Sequence, residues 1–407
     1  MQGGKGKGRS IMENEKYIRV GTSLFKLVQR PGITGELSEI RQPWSYETLR
    51  QDHSKDFISK IPKYDGFCIV PNHVDYQSVI KNFLNMYEPV GHLPQPGECP
   101  VTLAFIRHIF GEQYELGLDY IQLLYIRPTI KLPILLLVSN ERNTGKTTFL
   151  NFLKAIFKGN VTFNTNEDFR SQFNADWTNK LIVAVDEVLL NRREDSERLK
   201  NLSTALSHKT EAKGKDRNEI QFFGKFILCS NNEINPIIID PGEIRYWVRK
   251  IIPFERENTN MLYALKQEIP HFLYFLQHRE LSTRSESRMW FRTDLIQTDA
   301  LKRIIAYNRN RLEVEIRELL QDIMESNRVN EIRFCLNDIV LLLSRLSIKA
   351  EKHQIRKIIL YDWKLEAAPN SFTYQTYEYN YNTECCYSTV KRIGRYYTMT
   401  KEQLLII

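Results

Sequence analysis

The 407-residue chain has no CxxC pair among its six cysteines, Cys68, Cys99, Cys229, Cys335, Cys385 and Cys386. A zinc site needs ligands at metal spacing, and these supply none. Their scatter, with Cys385 and Cys386 adjacent, fits reduced thiols in a reducing cytoplasm. No apolar run approaches the roughly 18 residues that a bilayer span needs; the longest, such as Leu132 to Val138, are of strand length. No membrane partner is expected. A secretory leader is also missing, because the Gly- and Lys-rich first ten residues have no apolar segment behind them. Residues 1–15 read as a disordered leader. Internal repeats are absent, and no paired-Asp motif of a polymerase or primase is recognisable.

What is present is an ordinary globular composition, 42% apolar and 26% charged, in a chain long enough for two or three domains. The formal charge is +8. From Leu301 onward, 17 Lys and Arg against 13 Asp and Glu give +4, so half the excess sits in the last quarter. Such a surplus suits a polyanion, although it equally serves solubility.

Lys16 to Gln29 reads as a short hairpin about a Gly-Thr turn, and Asn82 to Pro89 as a helix end. Thr102 to Phe110 and Leu116 to Ile126 carry helical spacing. Pro133 to Val138, Lys180 to Val185 and Lys225 to Cys229 are runs of strand length, expected as buried parallel strands, with Trp247 to Ile252 as a fourth. Helices at Thr147 to Phe157 and Glu197 to Leu206 alternate with them. The alternation predicts an α/β core with a parallel sheet over residues 116–280, preceded by a mixed α/β to helical domain over 16–115. Polar Leu281 to Arg288 opens an expected linker, 281–310. Helices at Leu312 to Glu325, from an Asn337 cap to Leu346, and at Glu351 to Asp362 precede β-prone stretches at Phe372 to Tyr381 and Tyr396 to Met399. That is the order of a winged helix, expected over 311–407, with Thr373, Tyr374 and Tyr377 in the wing and Lys391, Arg392 and Arg395 adding charge.

The strongest chemical signal is Asn140 to Thr148, NERNTGKTT, between an expected strand and an expected helix, the setting of a P-loop. Gly145 lets the backbone approach phosphate oxygens, Lys146 sets a positive charge by the β- and γ-phosphates, and the Thr147 hydroxyl can ligate Mg²⁺. Asn140 stands where GxxxxGK(S/T) has its first glycine; Asn tolerates left-handed angles, so the turn is expected to survive. Asp186 and Glu187 follow the strand KLIVAV, 40 residues beyond Lys146. Asp186 is placed to hold the metal, and Glu187 to polarise the attacking water. Asn231, in CSNN after the strand KFIL, is placed to contact the γ-phosphate or that water; the bland reading of CSNN is a turn.

NTGKT, then VDE, a lysine-rich stretch and a strand ending in SNN, all within about 100 residues, resemble the superfamily 3 helicases. These are AAA+-like replication helicases, and the phage and poxvirus primase-helicase branch is most similar. The likeness runs from about Phe83 to Phe254, with Asn143 and Thr144 matching the family's P-loop variant. It implies ATP and Mg²⁺ as cofactors held by Asn140, Asn143, Thr144, Gly145, Lys146, Thr147 and Thr148. It implies a loop at Lys209, Lys213 and Lys215 gripping single-stranded DNA, and a homo-oligomeric, hexameric ring in which Arg245 reaches a neighbour's ATP, with Arg249 as competitor. A primase or polymerase partner belongs to the same expectation. Lys352 and Arg356, on the helix EKHQIRKIILY, are candidate duplex contacts, or else a solvated face of a packing domain. The expected function is a DNA helicase hydrolysing ATP. An ATP-switched origin-binding or loading protein, and an ATPase remodelling proteins, stay open.

Overall fold

The computed structural model describes residues 16–33, 37–171, 176–190, 192–210, 218–240, 242–380 and 386–406. The leader expected at 1–15, and also Lys213, Lys215 and Cys385, lie outside these.

The expected first hairpin forms from β1 (Lys16–Val20) and β2 (Ser23–Pro31), turning at Gly21 with φ 56°. β3 (Leu37–Trp44) extends the ladder. Two short helices, α1 (Tyr46–Asp52) and α2 (Lys55–Ser59), start at the side-chain caps Ser45 and Ser54. They lead to β4 (Lys63–Tyr64), which pairs parallel to β1 and closes a small core of Tyr17, Leu24, Leu49 and Ile61. β5 (Gly66–Cys68), β6 (Val79–Ile80) and β7 (Phe83–Asn85) make a second small sheet. The helix end expected from Asn82 is therefore a strand. Lys81 and Asn82 both take positive φ, 45° and 65°, and reverse the chain between β6 and β7.

α3 (Pro100–Phe110) and α4 (Tyr114–Ile126) lead into the central layer. Its elements are β8 (Ile134–Val138), α5 (Lys146–Phe157), β9 (Val161–Phe163), α6 (Asn166–Arg170), β10 (Ile182–Val185), α7 (Arg193–Thr204), β11 (Ser207–Thr210), β12 (Asn218–Gln221), β13 (Lys225–Ser230), β14 (Tyr246–Lys250) and α8 (Met261–His278). Five strands in the order β14-β8-β13-β10-β9 are all parallel. Both faces are covered. Leu135 and Leu137 join one apolar cluster with α3, α4, α5 and α8, while Ile134, Leu136 and Val138 join another on the opposite face. Burial on both faces is why the strands read as continuous apolar runs rather than alternating ones. Each such side chain contributes about 1.5–3 kcal/mol.

The stretch expected as a linker, 281–310, is packed. Buried Asp119 accepts hydrogen bonds from the Ser282 and Thr283 amides (3.1 and 2.7 Å) and from both hydroxyls (2.9 and 2.6 Å), and it pairs with Arg279. Polar residues that look solvated in the sequence are thus satisfied by one buried carboxylate. After α9 (Thr293–Ile296), α10 (Asp299–Asn327) runs 29 residues from its Thr298 cap. Its Leu301 and Ile304 pack on the parallel sheet, and its Ile316, Leu320 and Ile323 in a third core.

That third core continues with β15 (Glu331–Phe334), α11 (Leu336–Arg345), α12 (Lys352–Lys357), β16 (Phe372–Tyr379), β17 (Tyr387–Gly394), β18 (Tyr397–Thr400) and α13 (Lys401–Ile406). β16 and β17 form a hairpin, and β18 pairs antiparallel with β15. The cap of α11 is Cys335 rather than Asn337; the Asp338 carboxylate accepts the Cys335 amide at 2.7 Å. Tyr374 and Tyr377, expected to form a wing, point inward: both are buried, and the Tyr374 hydroxyl donates to Asp338 at 2.7 Å. Arg392 pairs with Asp338 and Glu378, so it holds the hairpin to α11.

Candidate nucleotide site

The loop between β8 and α5 carries the left-handed angles its sequence requires, at Asn143 (φ 55°) and Gly145 (φ 85°), and not at Asn140. Asn140 has another task. Its amide donates to Glu233 Oε1 at 3.0 Å, and its own Oδ1 accepts the Glu233 amide at 3.1 Å. This reciprocal pair ties the start of the loop to the loop after β13. A Cβ at Gly145 would lie 2.9 Å from the Phe254 ring and 3.1 Å from the Phe105 ring. Phe254 stacks on His108 with centroids 3.7 Å apart, and the Phe254 amide donates to the Asn143 carbonyl at 3.0 Å. An aromatic bed thus supports the loop from behind.

Lys146 opens α5, 6% exposed, with Nζ 3.1 Å from Thr144 Oγ1 and 3.5 Å from the Ser139 carbonyl. Burial pulls its pKa down; Cys229, Asp186 and Glu233 oppose that pull. Thr144 is buried beside it, Thr147 is exposed and Thr148 half-buried. The Thr147 hydroxyl donates to Asp186 Oδ2 at 2.7 Å.

Asp186 and Glu187 leave the carboxyl end of β10, and Asn231 that of β13, the strand between β10 and β8. Glu187 takes a left-handed φ of 61°, uncommon for a glutamate, and the Asn231 amide donates to its Oε1 at 3.4 Å. Around it, the Val188 amide donates to the Cys229 carbonyl at 2.7 Å, and Asn166 bonds the Glu187 carbonyl and the Leu189 amide. Lys146, Thr147, Asp186, Glu187 and Asn231 therefore meet at the carboxyl edge of the parallel sheet, where open α/β sheets hold their ligands. The Thr147 hydroxyl and Asp186 carboxylate are hard oxygen donors, a set that fits Mg²⁺. The helix start at Gly145, with Lys146 beside it, fits a polyphosphate.

Three supporting residues carry no motif and were missed in the sequence: Glu233, His108 and Phe254. Burial pushes the Glu233 carboxyl up, but the Lys250 ammonium at 2.9 Å and the Asn140 amide outweigh it and hold it below the usual range.

Arg245 lies apart from this cluster, just before the amino end of β14, at the opposite edge of the sheet. Its Nη1 donates to both Glu243 carboxylate oxygens, at 2.9 and 2.8 Å. Arg249 is half-buried and bonds Gln113 at 3.1 Å. The Lys209 backbone lies on β11, paired with β12; Lys213 and Lys215 fall outside the described residues. Lys352 and Arg356 are exposed, one turn apart on α12, at the rim of a cavity that Lys364 and Arg395 also line. Between them Gln354 turns inward, bonding Asp240 and Arg193 of the central layer.

Residues 137–245, the span from the end of β8 to Arg245, match a family of unknown function, DUF5906. Over 111 residues the chain is 34% identical to a DNA primase-polymerase of Nitratiruptor phage NrS-1; the match covers 26% of this chain and 15% of that relative. Solved apo structures of the NrS-1 C-terminal region share the fold. One aligns with a TM-score of 0.56 at 16% identity over 96% of this chain and 97% of that one. A second aligns at 0.55 and 17% over 88% and 94%.

Proposed function

We propose that this protein is an ATP-hydrolysing DNA helicase of phage-type replication, acting as a ring. The observation that carries the reading is the meeting of Lys146, Thr147, Asp186, Glu187 and Asn231 from three neighbouring strands at one sheet edge. In that arrangement Asn143, Thr144, Gly145 and Thr148 shape the phosphate cradle, with Asn140 anchoring its first turn. Lys146 neutralises the terminal phosphates, and Thr147 with Asp186 would hold Mg²⁺, which would supply further charge neutralisation. Glu187 accepts a proton from the attacking water, and Asn231 orients Glu187 or that water.

Arg245 is on the far edge of the sheet from its own Lys146, so it serves a neighbouring subunit's site if it serves any. A head-to-tail contact of that kind closes into a ring, and six copies is the expectation from the helicase resemblance. Single-stranded DNA passes by Lys209, Lys213 and Lys215. The C-terminal order of helix, strand, two helices and hairpin supports a winged helix, with Lys352 and Arg356 on duplex DNA. A primase or polymerase partner and a cytoplasmic site of action belong to the same proposal.

The test is ATP hydrolysis with and without single-stranded DNA, with Lys146→Ala as control. Several-fold stimulation by DNA, abolished in the variant, supports the motor. Turnover indifferent to DNA removes the motor reading. The second reading is an ATP-switched origin-binding or loading protein, favoured by the exposed Lys352 and Arg356 pair. It predicts tight duplex binding with little unwinding.

A further inference from the structure

The amino-terminal sheet holds a cluster of cations that nothing in the ATPase reading uses. A cavity of about 580 Å³ lies between β1, β4, α1 and α2, and Arg19, Arg50, His53, Lys55 and Lys63 line it. Among the described residues, no Asp or Glu lines it. Its size falls within the roughly 300–1,000 Å³ of small-ligand sites.

Two features are hard to explain by folding alone. Arg19 and Lys63 are register partners across the parallel β1–β4 pair, so two like charges stand side by side. Directly opposed like charges destabilise a sheet. Among the described residues the buried Arg19 Nε also finds no hydrogen-bond partner. A buried guanidinium nitrogen left unpaired is costly unless something completes it. Among the described residues, Arg19, Arg50, Lys55 and Lys63 form no ion pair, whereas Arg245, Arg279 and Arg392 each meet a carboxylate.

We infer that this cavity binds the phosphate backbone of single-stranded nucleic acid. An anion between Arg19 and Lys63 removes their repulsion and gives the Arg19 Nε an acceptor. The rest of the lining decides between a strand and a lone phosphate. Tyr46 offers an aromatic face, and Leu24, Ile58 and Ile61 an apolar floor, beside the cations. Stacking surfaces interleaved with cations are what a strand needs and a free phosphate does not.

The experiment uses the full chain without nucleotide, so it stands whether or not the ATPase reading holds. Lys55→Gln with Lys63→Gln is compared with wild type after thermal melting has shown both to be folded. Arg50→Gln replaces the pair if the pair does not fold. The probes are a fluorescent oligothymidylate, the same oligomer carrying 4-thiothymidine for cross-linking, and tripolyphosphate. Expected are at least about 10-fold weaker oligomer binding and a log–log salt slope shallower by about 1.4, two phosphate contacts of a single strand. Cross-links are expected between Tyr46 and Lys63. Unchanged affinity and slope, or cross-links confined to other segments, overturn the proposal. Loss of tripolyphosphate binding with oligothymidylate binding intact makes this a free-polyphosphate site and also overturns it.

Discussion

Asn140 and Glu233 hold each other by two reciprocal backbone-to-side-chain hydrogen bonds, 3.0 and 3.1 Å, across 93 residues of sequence. The asparagine that opens the loop between β8 and α5 is therefore a clamp on the loop after β13. Asn140→Gly restores the usual motif glycine, yet it removes one bond of the pair and frees the backbone. It is expected to lower stability by about 1 kcal/mol and to weaken ATP binding rather than improve it. Thermal melting and nucleotide titration check this; tighter binding in the glycine variant would show that the clamp is dispensable.

Gly145→Ala meets two obstacles, a φ of 85° and a new Cβ 2.9 Å from Phe254. Strain of this kind costs on the order of 1–3 kcal/mol. The variant is expected to melt earlier and to lose nucleotide binding, read by calorimetry. Gly145→Ala with Phe254→Leu relieves the nearer contact but neither the 3.1 Å approach to Phe105 nor the φ, so it should recover only part of the loss.

Glu187→Gln keeps the shape and the Asn231 contact but removes the carboxylate proposed as the base. Turnover is expected to fall by roughly 10²–10⁴ while ATP still binds. Equal losses of binding and turnover would assign Glu187 to the cradle instead.

A pH dependence follows from His73. Burial, reinforced by the Lys225 ammonium, pulls its pKa from 6.5 to about 3, with Nε2 2.8 Å from the Tyr87 hydroxyl. As pH falls below 6.5 the unfolded chain takes up a proton that the native imidazole refuses. This contribution is thus present above pH 6.5 and is lost as pH falls through the window down to about 3. The slope is at most about 1.4 kcal/mol per pH unit. Denaturant midpoints measured from neutral to mildly acid pH should fall more steeply for wild type than for His73→Gln. Parallel curves would remove His73 as the titrating group.

The parts of this protein that were legible in its sequence share a cause. β8, β10 and β13 lie buried on both faces, so they appear as apolar runs, and the residues at their carboxyl ends appear as motifs. β9 did not appear, because of its three residues only Val161 is fully buried. The stretch 281–310 was expected as a linker because the sequence shows the polarity of Ser282 and Thr283 but not the Asp119 that satisfies it, more than 160 positions earlier. In the candidate site, Lys146, Thr147, Asp186, Glu187 and Asn231 belong to local patterns that are visible in the sequence. Glu233, His108 and Phe254 act through contacts between distant segments, and no local pattern announces them. The burial of Tyr374 and Tyr377 was hidden for a related reason: β propensity is visible in sequence, but the groups that cover the strand, such as Asp338 beside Tyr374, are not.

The helix α10 puts one end in the core under the parallel sheet and the other in the C-terminal core. Its 29 residues make a rod of roughly 43 Å. A tilt of about 5° where Leu301 meets the sheet would displace the Met324 end by about 3 Å. The two cores thus share one uninterrupted helix, and their spacing is set by its length. Any exchange of either module for a foreign one must supply half of this rod in matching phase.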